Sequence, residues 1–264
     1  MSTWRGKWAI VTGASSGIGR ALAAELAAGG AHLVLTARRR DRLEELAGEF
    51  ATKFGARSEI CTADLTQKSG PEEIFAFTKE KGIEVELLVN NAGFGLYGEF
   101  AGMDLARLLE MVQVNVAAVV HLTHLYLQPM IARKRGDILI VSSTAAFQGV
   151  PYLTAYCGTK GFDLLFADAL AEETRAYGIR VCALCPGSTT SEFHDVARQP
   201  KRILSKRETA EKVARTGLRA LASGKSCVIS GGSNYLGAFV QRFLPRSVVA
   251  RVTARMFRPK PDEH

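Results

Sequence analysis

Tyr156 and Lys160 stand four residues apart at the start of a helix-forming stretch, a spacing that puts both side chains on one helical face. A phenol beside an ammonium group is a proton-transfer pair. An unperturbed tyrosine titrates near ~10, and a neighbouring positive charge favours the phenolate and moves the group toward neutral pH. Upstream, Ser142-Ser143 closes an apolar run, so the Ser143 hydroxyl could donate to a carbonyl oxygen that gains negative charge as hydride arrives. The chemistry suggested is reduction of a carbonyl or its reverse. By itself, a Tyr/Lys pair on a helix is most often solvated surface.

A second group of residues supplies a place for phosphate. In Ile10-Val-Thr-Gly-Ala-Ser-Ser-Gly-Ile-Gly19 a short apolar run ends in Gly13, Gly17 and Gly19 and gives way to a helix. Glycines let a ligand approach bare backbone, and the first N–H groups of the helix attract anions. Strand, turn and helix together point to dinucleotide binding. The second strand ends in Arg38-Arg39-Arg40, where an acidic residue would bond a ribose 2′-hydroxyl and an arginine accommodates a 2′-phosphate. Arg38, helped by Arg39, therefore favours NADP(H).

The elements that must position these residues alternate along the chain. Strands are predicted near 7–11, 32–37, 57–61, 86–90, 137–141, 179–185 and 226–230, with helices near 17–29, 40–54, 71–81, 104–131, 152–177 and 207–222. This pattern predicts an α/β fold: a doubly wound parallel sheet of about seven strands with helices on both faces, in a single Rossmann domain over 1–234. Ligands of such sheets bind at the carboxyl ends of the strands, where the glycine turn, Arg38, Asp64, Asn90, Ser143 and Pro186 all fall.

At 264 residues, 47% hydrophobic and 23% charged, the chain is long enough for one large α/β domain with a substantial core. Five scattered cysteines suggest a reducing compartment, and Cys182-x-x-Cys185 lies in a strand, where residues three apart face opposite ways and make a poor metal or redox pair. His121 and His124 read as helix-interface residues, and no metal site is expected. Met111 to Ala132 is uncharged, but its Gln, Asn and His residues favour a buried or subunit-facing helix over a membrane span. No signal peptide is visible, and a cytoplasmic protein is expected, with a location against the inner face of a membrane as a variant of that reading.

Taken in order, these residues resemble the classical short-chain dehydrogenases/reductases over roughly residues 5–232. Thr12-Gly-Ala-Ser-Ser-Gly-Ile-Gly19 looks like the family's cofactor turn, Asn90-Asn-Ala-Gly93 like its fourth-strand motif and Tyr156-x-x-x-Lys160 like its catalytic pair. The resemblance implies Tyr156 as general acid/base and Ser143 as the group orienting the substrate oxygen. It implies that Lys160 binds the nicotinamide ribose and lowers the tyrosine pKa, while Asn115 holds a water in the proton relay. At the cofactor it implies Gly13, Ser15, Ser16, Gly17, Ile18 and Gly19 around the phosphates, and Asp64 with Leu65 at the adenine. Asn90 is implied beside the adenosine ribose, followed by Ala92, Gly93, Pro186, Gly187 and Thr189 toward the nicotinamide. Ser191 replaces the family's usual threonine, and Ser16 stands where many NADP-preferring members carry a basic residue. The segment Thr189 to Ser205, including the loop residue His194, is implied to cover the substrate. Phe94, Leu96, Phe147, Val150, Tyr152 and Phe193 are expected to form an apolar pocket suited to a lipophilic ketone, sterol-like compound or 3-oxoacyl group. The other class of reading is a nucleotide-binding regulator or scaffold with little turnover. A homodimer or homotetramer is expected, and no nucleic-acid partner, because the basic residues lack a binding motif.

That basic excess is local: residues 235–264 carry six Lys/Arg against two Asp/Glu, half of the net +8. On a helix starting at Pro245, Val248, Val249, Val252 and Met256 share one face and Arg251, Arg255 and Arg258 another. This C-terminal extension either packs on the protein's own core or a second subunit, or lies in an anionic membrane surface.

Overall fold

The structure is a computed structural model that describes residues 3–193, 197, 200 and 207–259. Seven strands form one fully parallel sheet: β1 (Trp8–Thr12), β2 (His32–Ala37), β3 (Ser58–Thr62), β4 (Val85–Asn90), β5 (Gly136–Val141), β6 (Ile179–Cys185) and β7 (Cys227–Ile229). Their order is β3-β2-β1-β4-β5-β6-β7, so the chain reverses direction across the sheet between β1 and β4. A crevice opens at that switch, outside the carboxyl ends of the strands.

Apolar spacing decides which helix covers which face. Leu22 and Leu26 of α1 (Gly17–Ala28), Leu43, Leu46 and Phe50 of α2 (Arg40–Phe54), and Val213, Leu218 and Leu221 of α7 (Ala210–Ala222) bury against one side. The other side takes Ile74 of α3 (Gly70–Glu80), Leu122, Tyr126 and Met130 of α5 (Ala118–Ala132), and Leu164 and Leu170 of α6 (Thr154–Thr174). Short α4 (Leu105–Val112) starts at Asp104, whose side chain accepts from the Ala106 N–H at 2.9 Å, and runs through one π turn, Gln113–Ala117, into α5. By length and composition Leu105–Ala132 could cross a bilayer, but its buried stripe packs on the sheet.

Cys182 and Cys185 are both fully buried and lie in the cores on opposite faces, as strand alternation requires; burial pushes the Cys182 thiol up to about 12. His121 Nε2 lies 3.4 Å from Glu72 of α3, whereas His124 is exposed rather than packed between helices. After β7 come α8 (Gly232–Val240), a 3-10 turn at Gln241–Phe243, and α9 (Arg246–Phe257), which begins directly after Pro245.

Candidate active site

The glycine turn is folded so that only glycine fits. Gly13 and Gly17 have φ of +65° and +54°, and a Cβ on Gly19 would lie 2.3 Å from the Gly13 carbonyl oxygen and 2.4 Å from Asn91 Nδ2. The Thr12 hydroxyl fastens the turn to the end of β4: it accepts from the N–H groups of Asn91 and Ala92, each at 2.9 Å, and donates to the Val89 carbonyl at 3.1 Å. Ser16 caps α1 in extended conformation without a side-chain bond, leaving the first N–H groups of the helix open toward the cleft. That bare cradle fits a dinucleotide phosphate.

The cleft has a volume of about 470 Å³ and runs from Arg38 to Phe257. Along its cofactor half lie Gly13, Ser15 to Gly19, Arg38, Arg39, Asp64, Leu65, Ala92 and Gly93, followed by Pro186, Gly187, Thr189 and Ser191. Asp64 folds back on its own loop, its Oδ1 accepting from Thr66 N–H at 3.0 Å. Arg39 is held by Ser15 Oγ at 3.1 Å and Glu192 at 3.0 Å, and Glu192 also takes Arg42 at 2.6 Å. Among the described residues Arg38 has no carboxylate partner, which leaves its guanidinium for an anion at this end. Asn90 departs from expectation: its side chain is turned away from the cleft, and Nδ2 donates to Thr123 of α5 at 3.0 Å. The next residue, Asn91, lines the cleft instead, and its Nδ2 donates to the Thr12 carbonyl at 2.8 Å.

At the centre, β5 delivers Ser143 and the first turns of α6 deliver Tyr156 and Lys160, all on the cleft wall. Lys160 is buried and its Nζ donates to the Val141 carbonyl and to Asp163 Oδ2, each at 2.8 Å. Burial alone would lower the Lys160 pKa; the Asp163 carboxylate and the phenol more than reverse this and raise it, so the ammonium stays charged. For Tyr156 the sequence expectation needs correcting. Its burial outweighs the opposing pull of Lys160 and of the Ser143 hydroxyl, and the phenol is raised above its ordinary value. Lys160 does act in the expected direction, but it is shared with Asp163, an acid that i, i+3 spacing from Lys160 would have revealed. Asn115 is fully buried in the π turn, where its side chain clasps the Phe94 backbone: Oδ1 accepts from Phe94 N–H at 3.1 Å and Nδ2 donates to Phe94 O at 2.9 Å. It stands behind the cleft rather than on its wall, across from Lys160; a Cβ on Gly93 would lie 3.0 Å from Asn115 Oδ1 and 3.7 Å from Lys160 Nζ.

Toward Phe257 the cleft becomes apolar. Phe94 and Phe193 line it as expected, Phe193 with its ring 5.3 Å from that of Tyr156. Phe147 and Val150 do not reach it, nor do Leu96 and Tyr152. The 3-10 turn Thr144–Phe147 returns Phe147 to the core under the sheet, and Val150 is buried against Leu108, Met111 and Leu153. Their places are taken by Leu153, Val114, Arg107 and Phe257, from elements far apart in the chain. Arg107 lies 5.0 Å over the Phe94 ring and pairs with Glu110. His194 and most of the stretch to Ser205 lie outside the described residues.

A doubly wound sheet with a phosphate-suited turn at its switch, and a Ser, Tyr, Lys set in the same cleft, defines a dinucleotide-binding Rossmann protein with a proton-transfer centre. The chain belongs to the short chain dehydrogenase family, whose model matches residues 7–202. Very-long-chain 3-oxoacyl-CoA reductase from Bos taurus is 33% identical over 200 residues, which cover 74% of this chain and 63% of that protein. The chain thus matches less than two thirds of the bovine protein's length. The Homo sapiens protein of the same name is 33% identical over 225 residues, covering 83% of this chain and 71% of its own. Among solved structures, a putative NAD(P)-dependent gluconate 5-dehydrogenase from Beutenbergia cavernae with bound NADP is 29% identical with a TM-score of 0.79, covering 88% of this chain and 98% of that one.

Proposed function

We propose that the protein transfers hydride between NADP(H) and a lipophilic carbonyl compound or secondary alcohol, with 3-oxoacyl thioesters as the favoured class. The observation that carries this reading is the single cleft that joins the phosphate cradle, the Ser143–Tyr156–Lys160 set and an apolar end. A reduced nicotinamide supplies the hydride when bound. Ser143 then orients the substrate oxygen, and Tyr156, held protonated by burial, gives its proton to that oxygen as the C–O bond becomes an alcohol. Lys160, kept cationic by Asp163, stabilises the phenolate that remains until solvent reprotonates it. Gly17 to Gly19 and the open start of α1 take the pyrophosphate, and Arg38 takes the 2′-phosphate. The thioester class draws on the named relatives and on the cleft's walls of Phe94, Leu153, Phe193 and Phe257. A homo-oligomer is supported by the outward residues Leu105, Leu109, Val112 and Val120 of α4 and α5, which leave an apolar face uncovered.

The test is NADPH oxidation followed by absorbance across ketones and 3-oxoacyl thioesters of increasing chain length. We expect kcat/KM to rise with chain length and NADPH to be preferred over NADH. Binding of NADPH without turnover of any carbonyl compound would overturn the reading in favour of a scaffold.

A further inference from the structure

Among the described residues, the C-terminal stretch presents a large exposed apolar surface. Between Tyr235 and Val252 eight large apolar side chains are exposed, among them Leu236 at 61%, Phe243 at 74% and Val252 at 52%. The Tyr235 and Phe239 rings stack with centroids 6.3 Å apart, and Phe243 meets Phe239 edge to face at 5.4 Å. On α9 the helix is inverted relative to what its own core would demand. Thr253, its one buried residue, faces the body and donates its hydroxyl to the Gly149 carbonyl at 3.1 Å, while Val248, Val252 and Met256 face outward. Packing on the protein's own core, one of the readings open from sequence, is therefore not what these residues do.

Charge decides between the remaining occupants. Residues 232–259 contain five arginines, Arg242, Arg246, Arg251, Arg255 and Arg258, and no acidic residue; all five are exposed. A two-fold contact with a second copy presses this excess of positive charge onto itself, with Asp262 and Glu263 as the only acids of the 235–264 stretch against six basic residues. An anionic lipid surface supplies the missing charge, and arginines flanking a valine stripe can lay their stems along it while their guanidinium groups reach lipid phosphates. The same helix also reaches the cleft. Phe257 lines its apolar end, and the Phe257 carbonyl accepts from the Tyr97 hydroxyl at 2.7 Å.

We propose that the outward face of residues 235–256 docks on an anionic bilayer, which sets the apolar end of the cleft, at Phe257, beside the lipid from which the substrate is drawn. The docking stands on the exposed face alone; the delivery of substrate rests on the function proposed above.

The experiment co-sediments the full-length protein with vesicles of equimolar phosphatidylcholine and phosphatidylglycerol, and with phosphatidylcholine alone. It compares the wild type with Phe243→Asp/Val252→Asp and Arg251→Glu/Arg255→Glu, and measures oligomer size by sedimentation velocity and turnover of a water-soluble ketone in parallel. Each arginine near an anionic surface contributes about fivefold in affinity, so both double variants should bind the anionic vesicles at least ~10-fold more weakly. The wild type should bind phosphatidylcholine alone at least as weakly, and ketone turnover and oligomer size should not change. A wild type that stays in the supernatant with anionic vesicles overturns the proposal, as do variants that bind like wild type. Variants that change oligomer size without changing vesicle binding assign the face to a second copy. Vesicle binding by a protein that turns over neither the ketone nor any 3-oxoacyl thioester would leave docking intact and overturn only the catalytic reading.

Discussion

The two ends of the sheet use their polar groups differently. At the amino end, the buried Asp137 carboxylate is fully engaged: Trp4 Nε1 donates at 2.7 Å, and Arg180 donates twice, at 2.6 and 2.7 Å. Nearby, Arg135 Nε reaches the buried Glu86 at 2.9 Å. At the carboxyl end, Asp163 Oδ1, on the carboxylate that holds Lys160 at the cleft, is buried without a hydrogen-bond partner among the described residues; His32 Nδ1 and Ser58 Oγ share that state at the amino end, away from the cleft. Positive φ values occur at both ends, at Gly30, Gly55 and Lys134 ahead of β2, β3 and β5 as well as at Gly13 and Gly17, but those of Gly13 and Gly17 bare backbone to the cleft. Saturated polar networks fix a structure, whereas unsatisfied groups and bare backbone are what a ligand or a moving proton can use. One sheet thus keeps its permanence and its chemistry at opposite edges, and substitutions should separate them.

The largest separation is expected from Tyr156→Phe. Single-turnover absorbance at saturating NADPH should show reduction slowed about 1000-fold. The melting temperature should hold, because the ring contact with Phe193 is kept. An enzyme that kept most of its rate would place the proton donor elsewhere. The converse variant, Asp137→Asn, removes the charge that Arg180 and Trp4 converge on. Since Arg180 is about one third exposed and water can take over part of its solvation, a loss of about 2 kcal/mol in urea unfolding is expected, less than for a fully enclosed pair. Its kcat should match the wild type; a catalytic defect equal to that of Tyr156→Phe would dissolve the division between the ends. A smaller effect within the carboxyl end alone is expected from Arg38→Asp. Repulsion of the 2′-phosphate should cut NADPH efficiency about tenfold and spare NADH, so that the ratio of the two reverses. An unchanged ratio would hand the phosphate to Arg39, once released from Glu192.

Legibility in the sequence follows the same division. All seven strands fall within a residue or two of where alternation put them, and the glycine turn and Tyr156–Lys160 spacing are local patterns that local geometry obeys. What was not legible depends on distant partners. The direction of the Asn90 side chain is set by Thr123 of the neighbouring α5, which spacing along the chain does not reveal. Phe147 and Val150 are near Tyr156 in sequence but are claimed by the core, and Phe257 joins the cleft from the far end of the chain. The π turn at Asn115 leaves no mark in composition, since Val114-Asn-Val116 reads as ordinary helix. The direction of the Tyr156 pKa is not legible because spacing reveals the lysine but not the burial that opposes it.

One backbone feature ties these parts together. Tyr152 has φ of +68°, a conformation costing a non-glycine residue roughly 1–3 kcal/mol, and it lies two residues ahead of α6 and its catalytic pair. It is held there from both sides: its carbonyl accepts from Gly98 N–H at 2.9 Å, and its hydroxyl accepts from Arg258 at the end of α9 at 3.4 Å. Anything that steadies α9 from outside therefore helps to hold the start of the catalytic helix in its strained form. Thermodynamic reciprocity then fixes the converse: to the extent that an ordered α9 strengthens binding in the cleft, an occupied cleft must strengthen whatever grips α9, and by the same factor.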